Sequence, residues 1–201
     1  PQFERGELLY SNDFDGEDAL EGGVVEGAVR ERVEVGKLHL EAYNEGATKG
    51  VIWCPEDFEN PVEITYTYKP LTPHGLSIIF FMAEGRNGED IFSWERDGTF
   101  DQYIKGKMNT YHISYHRHFT DRCNIRKNFG FHLVAETIDP TRMTDHEYQI
   151  TVRKFGPHVQ FLVDGRMVHN WYDDGSAGGP PHNSGKIGFR HTRECQALYD
   201  N

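Results

Sequence analysis

Residues 109–118 read Asn-Thr-Tyr-His-Ile-Ser-Tyr-His-Arg-His. In an extended strand successive side chains point to opposite faces, so His112, Ser114, His116 and His118 share one face and Tyr111, Ile113, Tyr115 and Arg117 the other. Residues 123–135 repeat the pattern. Asn124, Arg126, Asn128 and His132 alternate with Cys123, Ile125, Phe129, Phe131 and Leu133, and Lys127 interrupts the apolar side. Side by side, the two ribbons would gather imidazoles, a guanidinium and carboxamides on one polar sheet face.

That set of groups suits β-elimination at a uronate. The proton α to a carboxylate is weakly acidic, so the carboxylate must be neutralised, the proton taken by a base and the leaving oxygen protonated. Arg126 and Asn128 are the expected neutralising groups, with Lys127 as a further binding cation. His112 or His132 is the expected base and His116 a further base or binder. Tyr115 is the acid provided a bulge turns it toward the face of His112. A departing sugar oxygen would make the protein a lyase, and departing water a dehydratase. Two other readings use the same face. One is a glycan-binding module without turnover. The other is a glycoside hydrolase built on two of Glu84, Glu89 and Asp90, although the E-x-D-x-x-E strand pattern of jelly-roll glycosidases is not found in the sequence.

Residues 83–90, Ala-Glu-Gly-Arg-Asn-Gly-Glu-Asp, follow a very apolar run and are dense in turn formers, which predicts a loop at a sheet rim. There Arg86, Asn87 and Asp90 would contact sugar hydroxyls or the carboxylate, with Gln102 beside them and Trp94 as a stacking platform. Arg190 alternates with Ile187 and Phe189 and is expected at the groove edge. Asp13 and Asp200, near the two chain ends, are candidates for a structural Ca²⁺; no other cofactor is required.

The elements that must position these groups are short. Alternating or β-rich runs recur between Gly, Pro, Asn and Asp clusters, among them 7–10, 24–35, 76–83, 100–104 and 129–135. With 21 glycines and 9 prolines, no apolar stripe of helical period survives three turns. The reading is an all-β sandwich occupying residues 1–201 as one domain, with at most one or two helical turns. Asp164-Gly165 is a two-residue type I′ hairpin signal, Gly156-Pro157 marks the preceding turn, and 173–185 form a glycine-rich loop.

Composition narrows the partners. The 37% hydrophobic and 13% aromatic content fits a folded chain, and the apolar run 76–83 is far too short for a membrane helix, so a soluble protein is expected. Net charge is −11, and residues 1–63 hold 16 acids and 5 bases, so nucleic acid is not an expected partner. Segment 101–132 reverses the balance. Lys105, Lys107, Arg117, Arg122, Arg126 and Lys127 face only Asp101 and Asp121, which leaves room for an acidic oligosaccharide or polysaccharide. Cys54, Cys123 and Cys195 are widely spaced and show neither a disulfide framework nor a thiolate zinc pattern.

Several stretches carry a resemblance over nearly the whole chain: GVIWCPEDF at 50–58, FFMAEGRNGEDIF at 80–92, RDGTFDQY at 96–103, NTYHISYHR at 109–117, CNIRKNFGFHLVA at 123–135, VQFLVDGRMV at 159–168 and GKIGFRH at 185–191. In this order they resemble the YesU-like family, a domain of unknown function. The resemblance implies a concanavalin-like jelly roll of two curved antiparallel sheets and a concave face suited to a glycan. It also implies a place in bacterial polysaccharide degradation, in the periplasm or the cytoplasm.

Overall fold

β-Branched and aromatic runs between turn formers become strands. The computed structural model describes residues 4–16, 18–43 and 49–201. In chain order its strands are β1 (Val24–Gly27), β2 (Arg30–Val33), β3 (Leu38–Glu41), β4 (Lys49–Trp53), β5 (Phe58–Glu59), β6 (Val62–Pro70), β7 (Leu76–Gly85) and β8 (Met108–Tyr115). They continue as β9 (Arg122–Asn128), β10 (His132–Ile138), β11 (Tyr148–Phe155), β12 (His158–Val163), β13 (Arg166–Tyr172), β14 (Ser184–Thr192) and β15 (Gln196–Asp200). One sheet runs β1-β4-β14-β7-β8-β9-β10, with β5 pairing β14; the other runs β13-β12-β11-β6-β15-β3-β2. The pairings are antiparallel in both. This is the expected sandwich. The hairpin at Asp164-Gly165 forms as its chemistry requires, with both residues at positive φ, 50° and 73°.

The inner faces of both sheets form one core, in which Tyr111, Ile113, Tyr115 and Ile125 of the first sheet meet Tyr68, Ile150, Val152, Phe161 and Tyr199 of the second. Each such buried side chain contributes about 1.5–3 kcal/mol relative to exposure. A second apolar cluster lies on the outer face of the first sheet, where Val51, Trp53, Ile78 and Phe80 pack under Ile91, Tyr103 and Ile104. Those last three belong to the connection between β7 and β8. It holds a 3-10 turn, Ile91–Ser93, and one helical turn, α1 (Asp101–Ile104). Strand β7 is thus buried on both faces, which explains its unbroken apolar run. A bulge between Phe81 and Glu84, with Met82 at φ 52°, turns both Phe81 and Met82 inward.

The connection is strapped down at several points. The Arg96 guanidinium pairs with buried Glu26, and the Tyr103 hydroxyl donates to Glu26 Oε2 at 2.7 Å. Gly98 has φ +85°, and a Cβ there would stand 2.6 Å from the Lys49 carbonyl oxygen, so only glycine fits.

Local structure departs from expectation at four runs. Residues 7–10 are exposed and irregular, and 24–35 split into β1 and β2 around Gly27 at φ 78°. The run 100–104 is a helical turn rather than a strand. Asp97 Oδ1 accepts from Thr99 N (2.9 Å) and Gln102 Oε1 from Asp97 N (3.1 Å), so side-chain capping of a turn outcompetes extension. The run 123–135 breaks into the β9–β10 hairpin, with Gly130 and Phe131 at φ 107° and 57°.

Candidate functional site

Strands β8 and β9 are neighbours, which is the condition on which the two alternating ribbons share a face. His112 stands directly opposite Arg126, Ser114 opposite Asn124 and Thr110 opposite Asn128, with their side chains on the outer face of the first sheet. His112 is 1% exposed and boxed by Phe80, Phe100 and Phe131, with ring centroids at 5.5, 6.0 and 5.8 Å. Burial, reinforced by the positive charges of Arg126, Arg190 and Arg117, pushes its pKa down to about 3, so the imidazole is neutral at ordinary pH. Asn128 Nδ2 lies 2.9 Å from His112 Nδ1. With Nδ2 facing the ring the amide donates and the ring proton sits on Nε2; with the amide turned over, Oδ1 accepts from Nδ1–H and Nε2 carries the lone pair.

Guanidiniums flank this imidazole. Arg126 lies over the Phe131 ring at 3.8 Å and donates to the Phe131 carbonyl at 2.8 Å. Arg117 reaches Glu136 of β10 at 3.8 Å, and Glu136 is in register with Asn124. His116 at φ 49° ends β8, so the face assigned to Arg117 by strand alternation does not carry past that residue. Six buried polar atoms on this face have no hydrogen-bond partner within the protein: Trp53 Nε1, His112 Nε2, Asn124 Oδ1, Asn128 Oδ1, and Nε and Nη1 of Arg190. Native interiors leave few such atoms unpaired, so this face holds more spare hydrogen-bonding capacity than an ordinary core.

The remaining expected groups go elsewhere. Tyr115 faces the core, its hydroxyl 3.1 Å from that of Tyr66, and burial pushes its pKa far up; no bulge turns it outward, so it is not the acid. His116 has Nδ1 at 2.8 Å from the Thr141 carbonyl and Nε2 at 2.8 Å from the Thr72 carbonyl, so neither nitrogen is available as a base. His132 pairs in register with Lys127, which puts it on the face away from His112. The turn at 129–131 resets the alternation, and the ring packs over Gly130 and Gly178. Lys127 is fully buried on the inner side, 2.7 Å from Asp173.

At the rim, Arg86 lies 4.1 Å over the Phe129 ring, and Asn87 Nδ2 donates to Glu89 at 2.9 Å. Arg86, Asn87, Glu89, Gly106 and Lys107 line a depression of about 480 Å³. Asp90 caps the 3-10 turn by accepting from Phe92 N at 2.9 Å, Trp94 lies 5.1 Å from the Arg96 guanidinium, and Gln102 serves the Asp97 turn. Those three are structural in their visible contacts. Arg190 is not at the groove edge but fully buried beneath the strap. Asp13 accepts from its own loop at Asp15 N, and Asp200 pairs with Lys37 at 3.2 Å. Among the described residues no group of three or more His, Cys, Asp or Glu is arranged to hold a metal, so the Ca²⁺ expectation finds no ligand set.

Nothing in the local sequence pattern marks Phe100 and Phe131 as site residues, yet their partly exposed rings roof His112. The unbroken apolar run of β7 was the available signal, because it requires a cover on the outer face.

The family model for a domain of unknown function, DUF1961, matches residues 7–201. The chain belongs to the DUF1961 family. A curated relative, the uncharacterized protein YesU of Bacillus subtilis (strain 168), is 34% identical over 98% of this chain and 94% of its own length. The crystal structure of a protein of unknown function with a galectin-like fold, from Bacillus subtilis, superposes with TM-score 0.93 at 33% identity, covering 99% and 96% of the two chains. Two distant structures share the architecture alone. Carbohydrate-binding module CBM66 from Bacillus subtilis has TM-score 0.58 at 14% identity, covering 90% of this chain and 92% of its own. A Bacillus licheniformis β-glucanase has TM-score 0.61 at 11% identity, covering 95% and 94%. The DUF1961 chain is thus an all-β sandwich of the concanavalin or galectin type, and no helix among its described residues is long and apolar enough to cross a membrane.

Proposed function

We propose that this protein acts on uronate-bearing oligosaccharides at the outer face of the first sheet, by β-elimination. The observation that supports it most is the direct pairing of His112 with Arg126 beneath two partly exposed phenylalanine rings. The rings offer an apolar surface to a sugar, and the arginines supply positive charge in an otherwise acidic protein. Arg126, helped by Arg117, neutralises the uronate carboxylate, which raises the acidity of the adjacent C–H. With the Asn128 amide turned over so that Oδ1 accepts from Nδ1–H, His112 takes that proton on Nε2. The C–H pair becomes the new C=C bond as the C–O bond breaks, and in a syn elimination the same imidazole returns its proton to the leaving oxygen. With one group serving as base and acid, Tyr115 is not needed. A sugar oxygen leaving makes the protein a lyase; a hydroxyl leaving as water makes it a dehydratase.

A second reading, glycan binding without turnover, is favoured by the enclosure of His112 among Phe80, Phe100 and Phe131 and by its low pKa. It is also the printed role of one distant fold neighbour. Hydrolysis loses ground, since Glu89 is engaged by Asn87 and Asp90 by its turn. The deciding experiment mixes the protein with a panel of acidic polysaccharides and their oligomers, follows ultraviolet absorbance of a 4,5-unsaturated uronate, and measures retention on the same glycans. Chromophore that depends on His112 supports elimination. Retention without chromophore makes the protein a binding module, and the failure of both removes the acidic glycan as its ligand.

A further inference from the structure

Arg190 sits in the middle of β14, 0% exposed, and forms no ion pair among the described residues. The acid whose charge acts on it, Glu26, is already taken by Arg96 and Tyr103. One guanidinium nitrogen, Nη2, donates to the Gly98 carbonyl at 2.9 Å, while Nε and Nη1 have no partner. The guanidinium carbon lies 5.1 Å from the Phe100 ring centre and 5.0 Å from that of Tyr103. Phe100 in turn packs against His112, ring centres 6.0 Å apart, and His112 Nε2 is also unpartnered. One phenyl ring therefore touches two polar groups that each keep an unpartnered nitrogen.

A buried cation without a counter-charge or a full set of acceptors is expensive, and an acidic ligand would relieve the cost. The surroundings narrow the ligand. The ring centres of Phe100 and Tyr103 lie 5.1 and 5.0 Å from the guanidinium, and between such close neighbours a flat carboxylate, which also matches the guanidinium fork, is accommodated with less displacement than a tetrahedral phosphate or sulfate. The backbone of the roof is pinned by Gly98, by the Arg96–Glu26 pair and by the Tyr103–Glu26 hydrogen bond. Opening therefore falls to a side chain, and Phe100 is the partly exposed one.

We propose that Arg190 is the floor of a carboxylate-binding site closed by the Phe100 side chain, which a small carboxylic acid or the carboxylate of a uronate enters when that ring turns outward. Its small-acid form stands independently of the elimination reading; its uronate form rests on that reading and deepens it, by naming a second carboxylate contact.

The test titrates the full chain with sodium acetate against sodium chloride at matched ionic strength, reading melting temperature and the fluorescence of the tryptophans. Trp53, stacked on Phe80 with ring centres 5.7 Å apart and packed near Tyr103, reports on this cluster. Saturable stabilisation by acetate but not chloride is expected. Phe100→Ala should bind acetate at least about tenfold more tightly, because the closed population no longer lowers the apparent affinity. Arg190→Met should lose the response. If Arg190→Met does not fold, Arg190→Lys, which keeps charge but not the planar fork, should weaken acetate binding by at least about tenfold. A response that is absent in both the wild type and Phe100→Ala overturns the proposal, as does one unchanged in the folded Arg190 variant. Acidic oligosaccharide is then added as competitor. Displacement of acetate assigns the site to the glycan. Acetate binding without displacement keeps the site as one for small acids and counts against the uronate form alone, leaving the chromophore assay to judge elimination separately.

Discussion

Tyr111 and His112 are consecutive in β8, and Arg126 and Lys127 are consecutive in β9, yet the two faces they make are opposite in kind. Inward, Lys127 pairs with Asp173 at 2.7 Å and also donates to the Gly179 carbonyl. The Tyr111 hydroxyl donates to Asp173 at 2.5 Å and accepts from His182 N at 2.9 Å, and Gly175 N closes the set at 3.0 Å. This network ties the glycine-rich loop after β13 to the sheet. Outward, His112, Asn124, Asn128 and Arg190 keep polar atoms unpartnered. A saturated buried network holds a fold together, whereas an unsaturated one next to partly exposed aromatic rings is suited to a ligand.

Experiments that break this contrast start on the inner side. Asp173→Ala strands Lys127 as a buried, uncompensated charge and should cost about 3–5 kcal/mol, seen as a melting temperature lower by roughly 6–20 °C. On the outer side, His112→Gln should leave the melting temperature far less changed while formation of unsaturated uronate falls by about 10²–10⁴-fold. Equal loss of stability in the two variants would erase the distinction.

Acid separates the regions further. Burial first, then neighbouring charges for His112 and His182, holds the pKa of His112 and His191 near 3 and that of His182 near 4. The unfolded chain, with histidines near 6.5, binds protons that the native state refuses, so stability is complete above about pH 6.5 and is lost as pH falls toward 4. With three such groups the slope approaches about 4 kcal/mol per pH unit in that window. Urea unfolding at a series of pH values checks it, and His112→Gln should remove about one third of the slope. Arg126→Ala should weaken retention of an acidic oligosaccharide by about 10–100-fold with little change in melting, consistent with one charged hydrogen bond. Arg86→Ala, at the rim, should have the smallest effect on melting, because its visible partner is the Phe129 ring.

Period-2 alternation in 109–118 placed His112 opposite the core, and it did so because the strand period is local. The same rule failed at His132 and Arg117, where Gly130, Phe131 and His116 take left-handed backbone and restart the pattern. It misplaced Arg190 for another reason. Alternation gives the face a residue occupies but not whether a distant loop covers that face. The rim residues Arg86 and Asn87 were legible as a loop because turn chemistry is also local.

The sequence alone determined an all-β sandwich, its Asp-Gly hairpin, its family and the sharing of a face by His112 and Ser114, since propensity, period and turn type act over a few residues. Only the tertiary structure decided that the strap between β7 and β8 folds over that face. It also decided that Tyr115 and Lys127 belong to the interior, and that Arg190 is buried without a counter-ion. Those outcomes depend on burial and on partners far apart in the chain, such as Lys127 with Asp173 and Arg96 with Glu26.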